Sequence, residues 1–390
     1  MSLSDRLDDG GSSRKERRPT IATTALHYEA HAINESYEDA YFYEPGAYMA
    51  HLVQLIKNRM QLPSTISNNK NNTNNKNDTI LSSCVRRRIL DIGGGTGNFA
   101  RALIESIEDP TKTTTTTSSS TTSSLPLLPV EIIVVDPFLD PTNTMNTSSS
   151  HCYEQHPVPA TENASLLLLP SPLRFVKASA EDFLEEPTTT RTDETSSPSS
   201  SSSFSWWRQA GSYHQILMKE MVHHLDAKDR VDIFRAMYQG LAQWPTTTTP
   251  VDDNNNQSSS NDDGNDDDDK TPVPSLLIVT RPQVEIDYPL WDEARQVWKD
   301  NQPSVDELVQ DLQTAGFRDI CHTLESYPCR ISLQRWQSMV QNRFWSTFTN
   351  FSDDELKSAC DQIASDYQDR IDDEGSIHFE DRLVFLTAYK

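Results

Sequence analysis

Four glycines in five positions, Gly93, Gly94, Gly95 and Gly97, separate the apolar run Arg88-Ile89-Leu90-Asp91-Ile92 from a helix-patterned stretch, Asn98 to Ile107. An apolar strand that enters so many glycines and leaves as a helix constrains this chain more than any other feature does. Without Cβ atoms the backbone turns tightly, and a ligand can approach it closely. The first N–H groups of the helix have no partner within it and face polar or negative groups. An ordinary tight turn needs only one or two glycines. No Gly-Lys-Ser/Thr follows, so the loop is not the phosphate-gripping loop of nucleoside triphosphatases.

Further apolar runs alternate with helical patterns. Val130 to Val135, Leu173 to Lys177, Gln215 to Lys219, Ser275 to Thr280, Phe317 to Leu324 and Leu383 to Tyr389 read as strands. Helices are expected over Ala227 to Leu241 and over Ser304 to Thr314, with Ser304 as N-cap and Glu307 three residues on. Apolar strands spaced by helices imply an α/β fold, a mainly parallel sheet covered on both faces. Two more helical patterns, Leu333 to Phe344 and Asp353 to Tyr367, interrupt the strands and suggest a helical cap near 331–369. Trp336, Val340 and Phe344 recur every four residues there, beside Met339, Arg343 and Trp345, too much apolar area for a solvent face.

Composition enters through what does not fit this pattern. Stretches rich in Asn, Ser, Thr and Asp occupy 63–80, 110–124, 141–165, 186–203 and 245–270, and they lack the apolar surface to offset the entropy of ordering. They are expected to be disordered insertions in a domain spanning 81–390. Residues 1–20 are expected to be disordered as well, and residues 21–62 to form an N-terminal helical lid with Tyr41 and Tyr43 as lid aromatics. The net charge of −24, from 34 Lys and Arg against 58 Asp and Glu, argues against a nucleic-acid-binding surface. The five cysteines form no CxxC pair and read as free thiols. Met1 to Thr20 lacks an apolar core of the secretory kind, and no apolar run reaches membrane-spanning length, so a cytoplasmic protein without a membrane partner is expected.

Two ligands suit the glycine loop. Gly95-x-Gly97-x-x-Ala100 matches one form of the dinucleotide fingerprint. Asp136, ending the next strand 41 residues after Gly95, stands where a ribose-binding acid belongs once the intervening insertion is discounted. A nicotinamide dinucleotide and S-adenosylmethionine both remain open on this evidence. Asp91, just ahead of the glycines, favours the second: its carboxylate can accept from amides of the turn and face the ammonium of an aminoacyl tail. It would repel a pyrophosphate.

The chain resembles the class I, Rossmann-like S-adenosylmethionine-dependent methyltransferases, especially the type 11 or UbiE-like small-molecule group. Asp91-Ile92-Gly93-Gly94-Gly95-Thr96-Gly97 is similar to the first motif of that family. Val135-Asp136-Pro137-Phe138 is similar to the acidic segment after strand two, and Lys177 to Phe183 to the stretch beside the adenine, with Ser179 replacing the commoner Asp. The resemblance implies that Asp91, Gly93, Gly95 and Gly97 meet the aminoacyl tail and that Asp136 holds the ribose hydroxyls. It places Phe138 near the adenine, with Ala180 and Glu181 or Asp182 at the adenine edge. It also implies a seven-stranded sheet of order 3-2-1-4-5-7-6 with strand seven antiparallel.

Strand four runs into Glu220-Met221-Val222-His223-His224, and the resemblance favours a His-His pair at this point. His214 stands where the family has Asp near the start of the strand. His223 or His224 is the candidate general base for an acceptor that starts protonated, or else orients it. Adjacent helical residues diverge, so at most one should face substrate. Neither histidine has the clustered neighbours of a metal site. The expected activity is S-adenosylmethionine-dependent methyl transfer to a small organic acceptor. The alternatives are a catalytically inactive, methyltransferase-like regulatory module and an NAD-dependent oxidoreductase. Any protein partner is left open.

Overall fold

Strands rich in branched aliphatic residues carry the architecture because their side chains fill a pleated surface on both sides. In the computed structural model the described residues are 45–62, 87–108, 130–137, 172–184, 211–243 and 273–390. Phe138, Tyr41, Tyr43, residues 1–20 and the five expected insertions lie outside them. Helix α1 (Pro45–Arg59) precedes β1 (Arg87–Ile92), α2 (Asn98–Glu108), β2 (Val130–Val135) and β3 (Leu173–Val176). Then come β4 (Gln215–Lys219), α3 (Ala227–Gly240), β5 (Ser275–Thr280), α4 (Asp292–Asn301) and α5 (Val305–Ala315). The chain closes with β6 (Arg318–Ser332), α6 (Leu333–Gln341), α7 (Asp353–Asp366) and β7 (Ser376–Tyr389).

The seven strands lie in the order β3-β2-β1-β4-β5-β7-β6. β1 pairs in parallel with β2 and β4, β2 with β3, and β4 with β5, while β7 runs antiparallel to β5 with Ser275 opposite Tyr389. This is the Rossmann-like order and direction that the resemblance implied. β2 and β5 are buried along their whole length, as a strand covered on both faces must be.

Alternate residues serve opposite faces. Leu90, Ile133, Ile216, Met218 and Ile278 pack against Ile233, Phe234 and Met237 of α3 and Leu308 and Leu312 of α5. On the other face lie α1 and α2: Gln215 Nε2 donates to Met60 O, the Arg59 guanidinium stacks over Phe385 at 4.1 Å, and Lys57 Nζ donates to Ser106 O at 2.7 Å. Each large aliphatic side chain buried this way contributes roughly 1.5–3 kcal/mol.

The expected start of α5 is present as a full capping box. Ser304 Oγ accepts from Glu307 N (3.2 Å), and Ser304 N donates to Glu307 Oε2 (2.7 Å). Gly316 closes the helix in left-handed backbone, φ 109°. Ser304→Ala is expected to cost about 1 kcal/mol and to lower Tm by roughly 2–4 °C. Thermal melts followed by circular dichroism check this.

Some boundaries differ from the sequence reading. β6 continues eight residues past Leu324, and β7 begins seven residues before Leu383. Helix α4 was not anticipated.

The described residues divide into two compact units. The smaller comprises Tyr288–Asn301 and Arg330–Phe379 and has its own aromatic core. Tyr288 lies 4.7 Å from Trp345 and 5.8 Å from Phe379 between ring centroids, and the Trp336 indole N–H donates to Pro289 O (2.9 Å). The apolar stripe is therefore core, although the helix ends at Gln341 rather than at Phe344: Trp336, Met339 and Val340 of α6 and Phe344 just after it are all buried. Arg343 is tied to Asp353 at 2.6 Å. Among the described residues, no helix is long and apolar enough to cross a membrane.

Candidate functional site

The carboxyl ends of β1, β2 and β4 converge on the glycine turn, the place where open parallel sheets bind ligands. Gly93 N donates to Val135 O (2.8 Å), and Gly97 N to Gly94 O (3.0 Å), so the turn is laced to β2 and to itself. Gly95 is exposed, has φ of 55° and has open space where a Cβ would project. Gly94 is confined instead: a Cβ there would lie 2.7 Å from Asp91 Oδ2 and 2.8 Å from Val134. The turn thus offers bare backbone outward at Gly95 and holds a carboxylate against its inner side at Gly94.

That carboxylate is the most unusual group in the site. Asp91 is 1% exposed, and neither of its oxygens has a hydrogen-bond donor among the described residues. Burial pushes its pKa from 3.8 up to about 7, with Lys219 opposing the rise and Asp136 adding to it. The expectation that Asp91 accepts from amides of the turn is corrected here. The amide aimed at a carboxylate is Gly95 N, and it donates to Asp136 Oδ2 (2.9 Å). The left-handed conformation of Gly95 turns that N–H toward the end of β2 rather than back toward β1.

Asp136 ends β2 and is 7% exposed, with its backbone N–H bonded to Val176 O and its carbonyl accepting from Ala178. These links bring Ala178 to Asp182 alongside Asp136. Ala180 is buried, and Glu181 to Leu184 form one 3-10 turn. Asp182 Oδ2 accepts from Ser179 N (2.6 Å), so one oxygen of that carboxylate shapes the turn. The structure therefore gathers Asp91, Gly93, Gly95, Gly97, Asp136 and Ala180 to Asp182 in one place.

The turn after β4 adjoins the glycines directly: a Cβ on Gly93 would overlap the Met221 side chain. Val222 to His224 form a 3-10 turn, and the two imidazole rings lie side by side, 3.9 Å apart between centroids. This corrects the expectation that adjacent histidines diverge, which holds for an α-helix and fails in this tighter turn. The two differ in environment. Burial, His224 and Arg281 push the His223 pKa well below its usual value, so His223 is held neutral. The Glu220 carboxylate is pushed below the usual range by Arg281, Lys219 and His224 against the opposing effect of burial. His224 therefore lies within the field of Glu220.

His214, at the position where the resemblance led one to expect Asp, leaves no gap in bonding. Its Nδ1 accepts from Arg88 N (3.1 Å) and its own N–H donates to Arg88 O (3.0 Å), which stitches β4 to β1 and assigns the ring proton to Nε2.

Sequence reasoning missed Met221, Arg281, Asp381 and Tyr48. Arg281 had a legible signal: it directly follows a strand with an apolar centre, as Asp136 and Glu220 do. Among the described residues no group of three or more His, Cys, Asp or Glu could hold a metal ion.

No protein family and no curated protein matches the chain by sequence. Among solved structures it is similar to the cyclopropane synthase MmaA2 from Mycobacterium tuberculosis (11% identity over 96% of this chain and 100% of that one, TM-score 0.42). It is also similar to a phosphoethanolamine N-methyltransferase 2 from Haemonchus contortus (11% identity, 95% of this chain but only 59% of that one, TM-score 0.41). A third is a SAM-dependent methyltransferase from Archaeoglobus fulgidus (13% identity, 87% and 94% covered, TM-score 0.35). Likeness at these TM-scores does not bear on function.

Proposed function

We infer that this chain binds S-adenosylmethionine at the glycine turn and transfers its methyl group to a small organic acceptor. The observation that carries the reading is Asp91, a buried carboxylate with both oxygens unpartnered among the described residues, pressed against a turn whose outer face is open at Gly95. Such a group is complemented by a cation that also has polar atoms to offer the turn, as an aminoacyl ammonium does. A dinucleotide pyrophosphate suits the same residues poorly. It would face Asp91 and Asp136 together, and Gly95 N–H, the donor it would use, is already engaged by Asp136.

In this reading Asp91 receives the ammonium, Asp136 the ribose hydroxyls, and Ala180 to Asp182 the adenine edge. The bound cofactor supplies a methyl group on positively charged sulfur, a good leaving group. The remaining task of the protein is to hold the acceptor in line with that methyl and to exclude water. His224, beside the ionised Glu220, takes a proton from an acceptor that starts protonated, and the neutral His223 packs against it.

Methyl-labelled S-adenosylmethionine incubated with the full-length protein and a small-molecule cell extract should yield labelled product. Cofactor binding without label in any product would leave a binding module and refute the transferase.

A further inference from the structure

β1 and β4 run in parallel register, with Asp91 opposite Leu217 and Ile92 opposite Met218. Side chains two apart on a strand share a face, so Lys219 leaves the sheet on the same face as Asp91. That face is the one α2 covers: Lys219 Nζ lies 5.8 Å from the ring centroid of Phe99, in the first turn of α2 directly after the glycines. The half-buried Lys219 is close enough to Asp91 to oppose the rise of its pKa. Yet the two are not bonded. Both Asp91 oxygens lack a donor, and among the described residues Lys219 makes no hydrogen bond or ion pair. Its ring contact is weak, because 5.8 Å is near the outer limit of cation–π attraction.

Nearby anions are committed elsewhere. Glu220 feels the Lys219 charge but is ion-paired with Arg281. Arg281 Nε also donates to Asp381 Oδ1 (3.3 Å), and Tyr48 donates its hydroxyl to Asp381 Oδ2 (2.9 Å), so Glu220 is anchored in a network of its own. Asp136 accepts from Gly95 N. The turn's own donors are also engaged: Gly93 N bonds to Val135 O and Gly97 N to Gly94 O. A ligand carboxylate at this turn therefore needs another donor, and a ligand ammonium needs an open carboxylate. Lys219 and Asp91 are those two groups, held on one face of the sheet without being joined. An α-amino acid carries the complementary pair of charges on a single carbon.

Resting on the cofactor assignment above, we propose that Lys219 receives the carboxylate of the aminoacyl tail while Asp91 receives its ammonium, so that Lys219 selects the carboxylate-bearing cofactor over a decarboxylated one. Without Lys219 the preference would run the other way, since Asp91 and Asp136 repel a ligand carboxylate. With it, the tail bridges two opposite charges that the fold keeps apart.

The test is a calorimetric titration of the full-length protein at pH 8, above the Asp91 pKa of about 7. Two ligands are compared: S-adenosylhomocysteine and S-adenosyl-3-thiopropylamine, the same molecule without its carboxylate. The unmodified protein should bind S-adenosylhomocysteine about tenfold or more tighter, as one hydrogen bond between charged groups provides. In Lys219→Gln the ratio of affinities should fall to about one or reverse. In Lys219→Arg, whose guanidinium also pairs with carboxylates, it should stay within about threefold of the unmodified value. Both ligands carry the ammonium, so any change in Asp91 caused by losing Lys219 cancels in the ratio. Binding of the amine ligand shows that a variant is folded, and Lys219→Met repeats the measurement where Lys219→Gln does not fold. Equal or tighter binding of the amine by the unmodified protein, or a ratio unchanged on removing the Lys219 charge, overturns the role of Lys219 and leaves Asp91 as the receiver of the ammonium. Binding of neither ligand by the unmodified protein overturns the cofactor assignment instead.

Discussion

Asp91→Asn is expected to weaken binding of S-adenosylmethionine by about 30-fold or more and, at pH 8, to make the empty protein more stable. Both effects have one cause. The wild-type carboxylate is buried without a donor among the described residues and titrates near 7 rather than 3.8. Because the folded pKa is raised, the folded state holds a proton that the unfolded chain has already released between about pH 4 and pH 7. The contribution of Asp91 to stability is therefore most favourable below about pH 4, falls as pH rises toward 7, and is less favourable by about 4 kcal/mol above it. An asparagine carries no such charge and retains only the smaller cost of a buried amide, roughly 1–3 kcal/mol. The net gain at pH 8 should appear as a Tm increase of a few degrees, shrinking at pH 5, where the wild-type carboxyl is already protonated. A melting series of both proteins across pH checks the sign. Lower stability for Asp91→Asn at pH 8 would mean that the carboxylate has a partner it cannot spare.

Binding should show the reverse trend with pH. An ammonium pairs with the carboxylate form, so the proton must leave when the cofactor enters. Affinity then rises with pH up to about 7 and levels off above it, being about tenfold weaker at pH 6 than at pH 8.

Asp136→Ala is the second large effect. Hydrogen bonds to a charged group contribute about 1.5–3 kcal/mol each, so loss of the ribose contacts should weaken the cofactor by about tenfold or more. The substitution also frees the Gly95 amide, which now donates to Asp136 at 2.9 Å, and so loosens the exposed part of the turn. Adenine-only fragments should lose little affinity, since their contacts lie at Ala180 to Asp182. Titrations of wild type and Asp136→Ala with S-adenosylhomocysteine and with adenine separate the two contributions. Unchanged affinity for S-adenosylhomocysteine would place the ribose elsewhere.

What the sequence made legible was local. The glycine turn, the acid ending β2 and the Ser304–Glu307 box each depend on residues a few positions apart, and each is found in place. Helix α4 was not legible, because Ala294 and Trp298 are its buried residues and Trp298 packs against Trp345, which is remote in sequence. β6 continues past Leu324 and through Pro328, which cannot donate to a ladder; an edge strand tolerates that loss, and β6 is the edge. The network from Glu220 through Arg281 and Asp381 to Tyr48 spans sequence separations of 61, 100 and 333 residues, so no local pattern could announce it. The state of Asp91 was hidden in the same way: its position could be read, but its pKa depends on burial and on the charges of Lys219 and Asp136, which other strands bring to it.

Calorimetric titration with S-adenosylhomocysteine at pH 6, in two buffers of different ionisation enthalpy, measures binding and proton release together. Saturable binding with close to one proton released, and none released by Asp91→Asn, is the predicted result. Absence of binding by both S-adenosylhomocysteine and S-adenosylmethionine, or binding without proton release, would contradict the assignment of Asp91 as the receiver of the cofactor's ammonium.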